Sequence, residues 1–232
     1  YNLTIYLKYY YVFNTIMSHK HLQKYLEPYK TEIQVGVDEA GRGCLFGSVY
    51  VGAVIWNNDI EHPNLKYIKD SKKLTKKKRN EMRKFIEDNA LAWCVASCDN
   101  TTIDNINILE ATYKAMHKAL YDIYNNNIKF DRILVDGNGF NPFMIDNKQI
   151  PHKCIINGDN RFIPIAAASI LAKTHRDEYI EKLCEENNAL KLYGLMTNFG
   201  YGTKEHRDAI LNYGYTDYHR RSFKIKSLCN NK

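Results

Sequence analysis

Runs of hydrophobic residues separated by polar turns predict five β-strands along the chain. Each run is about four to eight residues long and rich in β-branched or aromatic residues, as is typical of strands. Glycine or short polar stretches follow the runs, which indicates turns at their ends. The predicted strands cover residues 33–37, 49–56, 91–98, 132–135 and 153–156.

Other segments have apolar residues at every third or fourth position, the spacing of a helix with one buried face. The clearest is 103–125, with a stripe formed by Ile106, Leu109, Tyr113, Met116 and Leu120. Further helices are predicted at 75–89, where Thr75 is a candidate N-cap, from Pro164 for about 20 residues, and near 203–213. Strands interspersed with helices predict an α/β fold, with a central mixed β-sheet flanked by helices.

Length and composition fit one globular domain with extensions. The chain has 232 residues, of which 44% are hydrophobic and 25% charged, so wholesale disorder is excluded. No apolar run reaches the roughly 18 residues of a membrane-spanning helix, so no membrane partner is expected. We expect an N-terminal extension over 1–30 outside the folded core, a main domain over 31–226 and a tail over 227–232.

The cysteine pattern indicates an intracellular protein. The six cysteines include no CxxC pair, so the sequence shows no zinc-binding framework. No secretory signal is readable, and cysteines inside the cell are reduced by default. We therefore expect a cytoplasmic location, or a nuclear one in a eukaryotic host.

Positive charge is concentrated in one window of the chain. The net charge is +7 overall, yet residues 66–84 hold ten basic and two acidic residues, a net +8. A local basic patch suggests a polyanionic partner such as a nucleic acid. A Lys-rich helix face in water produces the same pattern, so charge alone leaves both interpretations open.

Acidic residues recur where three of the predicted strands end. Asp38 and Glu39 follow the first strand, Asp136 the fourth and Asp159 the fifth, each with a glycine nearby. A single such Asp is usually a turn former, but strand ends of an α/β sheet are where functional groups gather. Two carboxylates about 4 Å apart repel by on the order of 4 kcal/mol at an effective dielectric near 20.

Divalent cations would remove this repulsion. Carboxylate oxygens with room for water favour Mg²⁺ or Mn²⁺, and two such ions about 3.5–4 Å apart form the clamp used for phosphodiester hydrolysis. Acids for metal ions, together with a basic patch for phosphates, predict a nuclease or a polymerase.

One segment resembles the signature of the ribonuclease HII family, also called type 2 ribonuclease H. It is VGVDEAGRG at 35–43, and further blocks follow in the order of the family. These are DSKKL at 70–74, NINIL at 105–109, VDGN at 135–138, GDNR at 158–161, AASILAK at 167–173 and HRRSF at 219–223. The resemblance covers about residues 33–224 and implies a ribonuclease H-like fold.

The resemblance also implies an activity. Family members cleave the RNA strand of RNA–DNA hybrids and incise duplex DNA at single embedded ribonucleotides, leaving 3′-hydroxyl and 5′-phosphate ends. By position, the catalytic and metal-binding carboxylates are Asp38, Glu39, Asp136 and Asp159, which would hold two Mg²⁺ or Mn²⁺ ions. The expected partners are RNA–DNA hybrid and ribonucleotide-containing duplex DNA.

Nucleic-acid contacts carry over in the same way, from a glycine turn, a phosphate-binding pair and a tyrosine. The matching residues are Gly41, Arg42, Gly43, Ser71, Lys72 and Tyr201. The turn would read the ribose 2′-hydroxyl and the adjoining phosphates, since glycines admit close approach and the 2′-hydroxyl distinguishes RNA from DNA. The pair would hold backbone phosphate, and the tyrosine would pack on the sugar at the cleaved junction.

Four residues at three places depart from the family pattern. Asn157 stands where the family often has Lys, Asn198-Phe199 where basic residues or His are usual, and Gly202 where proline is common. Loss of a positive charge at Asn157 is expected to affect rate and metal affinity more than function. Gly202 is expected to loosen the tyrosine loop and weaken junction discrimination. Because all four carboxylates are present, we expect an active enzyme.

Ser169, Lys173 and Asp177 fall four residues apart on the helix that follows Asp159. A Ser–Lys nucleophile pair is conceivable, but support of the metal site from behind, through an i,i+4 pair, is the preferred interpretation. His175 on the same helix is a candidate proton shuttle, although a structural role fits it better.

Two other functions stay open at this point. A non-catalytic nucleic-acid binder would explain the basic window, but not acids at three strand ends, which repel phosphate. Another two-metal nuclease of related fold, such as an exonuclease or a junction resolvase, would share the acids. The tail has no paired aromatic residues of the kind found in sliding-clamp peptides, so no such partner is expected.

Overall fold

The computed structural model describes residues 22–68 and 74–225. The strands in these ranges are β1 (Gln34–Ala40), β2 (Val49–Ile55), β3 (Ala92–Cys98), β4 (Arg132–Asp136), β5 (Phe143–Ile145), β6 (Lys148–Ile150) and β7 (His152–Ile155). The α-helices are α1 (Lys76–Asn89), α2 (Asn100–Asn125), α3 (Ile163–Glu186), α4 (Leu195–Asn198) and α5 (Lys204–Tyr213). None of the helices in the described ranges is long and apolar enough to cross a bilayer.

Five of the strands form one sheet in the order β3–β2–β1–β4–β7. β2 pairs antiparallel with β1 and with β3, whereas the β1–β4 and β4–β7 pairs are parallel. The predicted α/β fold with a mixed sheet is therefore confirmed. In the β1–β4 pair Val37 lies opposite Val135, which sets the carboxyl ends of these two strands side by side.

All five predicted strands are present, with one consequential shift. β1 runs to Ala40 and so contains Asp38 and Glu39, which the sequence placed in the turn after the strand. The sequence does not predict the β5–β6 hairpin, because each of its strands is only three residues long. Its turn residues Asp146 and Asn147 have φ values of +48° and +61°, the conformation of a tight hairpin turn.

Helix α3 lies directly on one face of the sheet because two strand residues lack side chains. A Cβ at Gly36 would stand 2.2 Å from the carbonyl carbon of Pro164. A Cβ at Gly52 would stand 2.3 Å from the carbonyl oxygen of Ala168. The first turns of α3, which begins one residue before the predicted Pro164, are thus in backbone contact with β1 and β2.

Helix α2 covers the opposite sheet face but is broken near its start. Asn107 has φ 68° and ψ 165°, and its side-chain oxygen accepts hydrogen bonds from the backbone N–H groups of Leu109 and Glu110 at 2.9 and 3.1 Å. This side chain caps a second helical segment. The predicted buried stripe is therefore wrong at Ile106 and Leu109, which are 37% and 38% exposed, but right further along, where Met116 is buried.

The basic residues of α1 are largely paired with acids. Lys76 contacts Glu181 of α3, and Arg83 Nη1 lies 2.9 Å from Glu178 Oε2 of the same helix. Three further ion pairs form within α1, namely Lys78–Glu81, Arg83–Glu87 and Lys84–Asp88. The window 66–84 ends before Glu87 and Asp88, and it does not include Glu178 and Glu181 of α3. Its net charge of +8 therefore leaves out four acids that pair with its basic residues. In its described part, this window is therefore closer to a solvated helix face than to a +8 patch.

The last residues of the predicted N-terminal extension contact the main domain. The backbone N–H of Gln23 donates to the Arg161 carbonyl at 2.8 Å, and Leu26 packs against a buried apolar cluster. Residues 1–21 and 226–232 lie outside the described ranges, so the predicted domain boundaries and the tail stay predictions.

A C-terminal apolar cluster encloses two histidines. His206 of α5 and His219 are both 0% exposed, and their rings lie among those of Phe46, Tyr193 and Tyr215. Burial lowers the pKa of both imidazoles. The pKa of His219 falls to about 3, mainly through burial and secondly through the neighbouring imidazole.

Replacing Gly52 by Ala is expected to destabilise the protein, because the new Cβ would meet the backbone of α3 and overpacking costs about 1–3 kcal/mol. Gly43→Ala is the matched control, since no heavy atom lies within 4 Å of the position its Cβ would take. Urea unfolding of both variants and the wild type measures the difference. Equal midpoints for Gly52→Ala and the wild type would contradict the close contact between α3 and the sheet.

Acidification is expected to lower the free energy of unfolding through His219. In the unfolded chain a histidine titrates near 6.5, so the unfolded chain binds a proton that the folded protein excludes until about pH 3. This contribution to stability is complete above about pH 6.5 and is lost as the pH falls toward 3. His219→Phe removes the titration, so its unfolding free energy should vary less between pH 7 and 4. An unchanged pH slope in chemical denaturation would contradict a buried neutral imidazole.

Candidate active site

Asp38, two residues before the end of β1, lies beside Asp136, the last residue of β4. Val37 and Val135 form the last residue pair of the parallel β1–β4 ladder, and each acid is the next residue along its strand. Gly36 faces α3, and strand residues two apart share a face, so Asp38 also faces α3. There the residue is 6% exposed, and its carboxylate forms a hydrogen bond with the side chain of Ser169.

The carboxylates at this sheet edge are crowded. Burial raises the pKa of Asp38 well above its ordinary value, and repulsion by Glu39 and Asp136 raises it further. Hydrogen bonds with Ser169 and from the Glu39 backbone N–H, the latter 2.7 Å long, offset this only in part. Burial and repulsion thus disfavour the ionised form of Asp38, and a hard divalent cation, which prefers carboxylate oxygens, would stabilise it.

A tight turn brings Asp159 next to Asp136. The 3₁₀ turn Gly158–Asn160 follows β7, and the backbone N–H of Gly158 donates to Asp136 Oδ1 at 2.6 Å. Asp159 is 8% exposed, and Asn160 Nδ2 donates to its Oδ1 at 2.9 Å. Asn157 precedes the turn with φ 54°, a left-handed conformation that Asn adopts more readily than most residues. The departure from lysine at this position therefore suits the local backbone.

Glu39 is directed away from Asp38. Consecutive strand residues point to opposite faces of a sheet, and Glu39 Oε1 lies 3.6 Å from Arg42 Nη1. In the part of the chain that the structure describes, no three Asp, Glu, His or Cys side chains are grouped so that they could hold a metal ion. Strand geometry brings the acids to one edge of the sheet, whereas a shared ion requires their side chains to rotate. The metal-binding roles of the four acids stay predictions.

Arg176, a residue that the sequence analysis missed, supports the glycine turn. Gly41 has φ +85°, and a Cβ there would stand 1.9 Å from Arg176 Nε. Arg176 is fully buried and donates to the backbone carbonyls of Phe46, Ser48 and Phe199 at 3.0, 3.1 and 2.8 Å. Arg176 lies on the buried face of α3. A charged residue among apolar positions of a helix is the sequence signal that could have revealed it.

A second buried arginine holds the same turn from the other side. Arg220 donates to the carbonyls of Arg42 and Gly47 at 2.9 and 2.8 Å. Burial lowers its pKa to about 10. Arg220 is 0% exposed, so this arginine packs inside the protein. At Gly43, an added Cβ would have no heavy atom within 4 Å, so the backbone of the turn is open at this residue.

Tyr201 lies beside the glycine turn through an antiparallel backbone bridge with Cys44. The residue is 41% exposed, and partial burial raises the pKa of its hydroxyl. Lys173 Nζ lies 5.7 Å from the ring centroid of Tyr201 and 2.7 Å from Asp177 Oδ1. Since Ser169 bonds the first carboxylate and Lys173 pairs with an acid, these contacts favour a supporting role over a Ser–Lys nucleophile pair.

The remaining predicted residues lie elsewhere. Ser71 and Lys72 fall outside the described residues, so their phosphate contacts stay predictions. His175 Nε2 lies 3.1 Å from Glu87 Oε1, and its Nδ1 lies 3.4 Å from Arg83 Nη2. These partners on α1 fit a structural role for His175 and give no support to a proton shuttle.

Curated relatives match the chain over most of its length. The family model for ribonuclease HII matches residues 35–226. Ribonuclease HII of Christiangramia forsetii is 50% identical over 200 residues, which cover 85% of this chain and 93% of that protein. Ribonuclease HII of Bacteroides thetaiotaomicron is 46% identical over 202 residues, covering 86% of this chain and 94% of that protein.

Solved structures share the fold. Ribonuclease H2 from Pyrococcus horikoshii has a TM-score of 0.63 at 25% identity, covering 82% of this chain and 93% of that one. A ribonuclease HII from Archaeoglobus fulgidus, solved in complex with PCNA, has a TM-score of 0.63 at 21% identity, with 84% and 96% covered. With the site geometry, these matches show that the chain belongs to the ribonuclease HII family, metal-dependent endoribonucleases that act on RNA–DNA hybrids.

Proposed function

We propose that this protein incises duplex DNA at single embedded ribonucleotides, in addition to cleaving the RNA of hybrids, and leaves 3′-hydroxyl and 5′-phosphate ends. The observation that carries the proposal is the side-by-side placement of Asp38 in β1 and Asp136 at the end of the parallel strand β4. The turn that bears Asp159 is bonded directly to Asp136, which adds a third acid to this edge.

Two divalent ions, Mg²⁺ or Mn²⁺, are proposed as cofactors held by Asp38, Glu39, Asp136 and Asp159. The crowding of these carboxylates supports a cation at this edge. A ribonuclease HIII of the same fold, 19% identical with a TM-score of 0.58, was solved in complex with Mn²⁺. When bound, such ions activate a water molecule and stabilise the leaving oxygen. Ser169 orients the Asp38 carboxylate through its hydrogen bond.

Recognition of the ribonucleotide is assigned to the turn of Gly41, Arg42 and Gly43 and to Tyr201. The open backbone at Gly43 admits a sugar, and the half-exposed Arg42 side chain is available to phosphate. Tyr201 offers a 41% exposed ring beside the turn, in keeping with packing on the sugar at the junction. Lys173 and Asp177 support that ring from α3.

Two further expectations concern surroundings and partners. The five cysteines of the described ranges are free thiols, in keeping with the expected cytoplasmic location. The expected lack of a sliding-clamp peptide in 227–232 concerns residues outside the described ranges and stays a prediction.

The non-catalytic binder is disfavoured because much of its basic window is paired with acids. A related exonuclease or resolvase is distinguished by where a ribonucleotide-containing duplex is cut.

Asp136→Asn is expected to lower incision at a single ribonucleotide by more than about 100-fold, because it removes one charge from the metal site. Affinity for the duplex should change little, since the carboxylate does not itself bind nucleic acid. The assay uses a labelled DNA duplex with one ribonucleotide and Mg²⁺ or Mn²⁺. Asp59→Asn, at an exposed acid, is the matched control. Incision by Asp136→Asn at the wild-type rate would remove Asp136 from the site, and no incision by the wild type would refute the proposed function.

Addition of Mn²⁺ or Mg²⁺ is expected to raise the melting temperature, because the ions relieve repulsion among Asp38, Glu39 and Asp136 in the folded state only. An ion at 100 times its Kd stabilises by about 2.7 kcal/mol. The shift should disappear with chelator and be smaller in Asp136→Asn than in Asp59→Asn. Equal shifts in the two variants, measured at matched ionic strength, would contradict an ion at this edge.

A further inference from the structure

A chain of three hydrogen bonds ends on the backbone of Tyr201. The Tyr201 carbonyl oxygen lies 3.0 Å from His206 Nδ1. His206 Nε2 lies 3.1 Å from His219 Nε2. His219 Nδ1 in turn accepts a hydrogen bond from the Thr216 backbone N–H at 2.9 Å. The chain thus joins the segment around His219 to the proposed sugar-packing tyrosine.

Only one distribution of protons satisfies all of these contacts. A carbonyl oxygen can only accept, so His206 Nδ1 carries a hydrogen. A backbone N–H can only donate, so His219 Nδ1 carries none. The hydrogen of a neutral His219 is then on Nε2, and it is donated to the bare Nε2 of His206. Both imidazoles are therefore neutral, with fixed and opposite tautomers.

The surroundings favour the neutral pair. Both rings are fully buried, and the aromatic rings of Phe46, Tyr193 and Tyr215 surround them. The Thr216 hydroxyl, 2.8 Å from His219 Nδ1, is a further polar neighbour. Two charged groups influence the pair from its own elements: Glu205 acts on His206, and Arg221 acts on His219. A proton added to either ring would break one hydrogen bond and bury a charge among apolar groups. The pair is therefore a fixed structural relay at neutral pH.

The relay adds to the other hydrogen bonds of the tyrosine loop, which include local contacts as well as the backbone bridge between Tyr201 and Cys44. The Tyr201 backbone N–H donates to the Asn198 carbonyl at 2.9 Å, and its carbonyl also accepts from the Thr203 N–H at 2.8 Å. Gly202 lies between these contacts, where the family commonly has a conformationally restricted proline. His206, on the far side of the loop, is the contact that ties the Tyr201 carbonyl to the protein interior.

We propose that His206 and His219 are positioning residues, which hold the backbone of Tyr201 so that its ring meets the sugar at the ribonucleotide junction. This inference rests on the proposed function, specifically on the role of Tyr201. His219 begins the HRRSF block at 219–223, whereas His206 lies outside the blocks quoted above. The pair compensates for the flexibility of Gly202, so junction discrimination is preserved despite the missing proline.

The first test compares two substitutions at His219 on two substrates. His219→Phe keeps a ring but makes no hydrogen bond, and should lower kcat/KM for single-ribonucleotide incision by about 10- to 100-fold, the cost of a misplaced positioning group. Cleavage of a long RNA–DNA hybrid should fall less, because every phosphate there adjoins a ribose. His219→Gln supplies an amide N–H to His206 and should restore most of the junction activity. Equal losses in both variants, or on both substrates, would overturn the positioning role.

A double-mutant cycle then tests whether the effect passes through Tyr201. Tyr201→Ala should itself reduce junction incision, and adding His219→Phe to it should cause no further loss. Independent, multiplying losses would overturn the proposal. Junction incision that is lost in Tyr201→Ala but unchanged in His219→Phe refutes only the relay. A wild-type protein that does not incise at all refutes the proposed function.

Nitrogen-15 NMR of the histidines in the wild-type protein provides a test that needs no variant, in case His219→Phe does not fold. Between pH 6 and 8 the spectrum should show two non-titrating neutral imidazoles, with the hydrogen on Nδ1 in His206 and on Nε2 in His219. A protonated ring, or the opposite tautomer in either residue, would overturn the relay.

Discussion

The backbone contact between α3 and the sheet determines where Ser169 and Arg176 lie in the candidate site. Gly36 and Gly52 leave no side chain between strand and helix, so α3 lies in backbone contact with β1 and β2. Ser169 then reaches Asp38 near the end of β1. Two turns further along, Arg176 reaches the loops that follow the same strand. One rigid helix thus serves both the acids and the turn proposed to read the ribose.

Charge is distributed in a complementary way around this helix. The acids lie close together near the strand ends, where their mutual repulsion favours the binding of cations. The buried guanidinium groups of Arg176 and Arg220 support the glycine turn and donate hydrogen bonds to backbone carbonyls. Positive charge beneath an open backbone turn favours an anion. The acidic and the basic groups of the candidate site thus lie in separate places, the acids on the strands and the arginines beneath the turn.

The sequence predicts the strands and the mixed sheet, because the apolar runs are a local pattern, but it places Asp38 and Glu39 after a strand that in fact contains them. It also identifies the family through seven ordered blocks. It fails at a local helix cap that the apolar spacing does not reveal, and where residues far apart in the sequence form ion pairs. The break at Asn107 comes from a side chain that caps the helix behind it, so the stripe is wrong at Ile106. The basic window is neutralised by acids of α3, which lie about 100 positions away, as Glu178 does from Arg83.

The segment around His219 and Arg220 is synthesised late, which affects the order in which the candidate site is completed. Asp159, the last of the four acids to be translated, precedes His219 by sixty positions. A growing polypeptide therefore carries these four acids before it carries His219 and Arg220, which bond to His206 and to the backbone of the glycine turn. The support of that turn is thus completed only after the four acids have been synthesised.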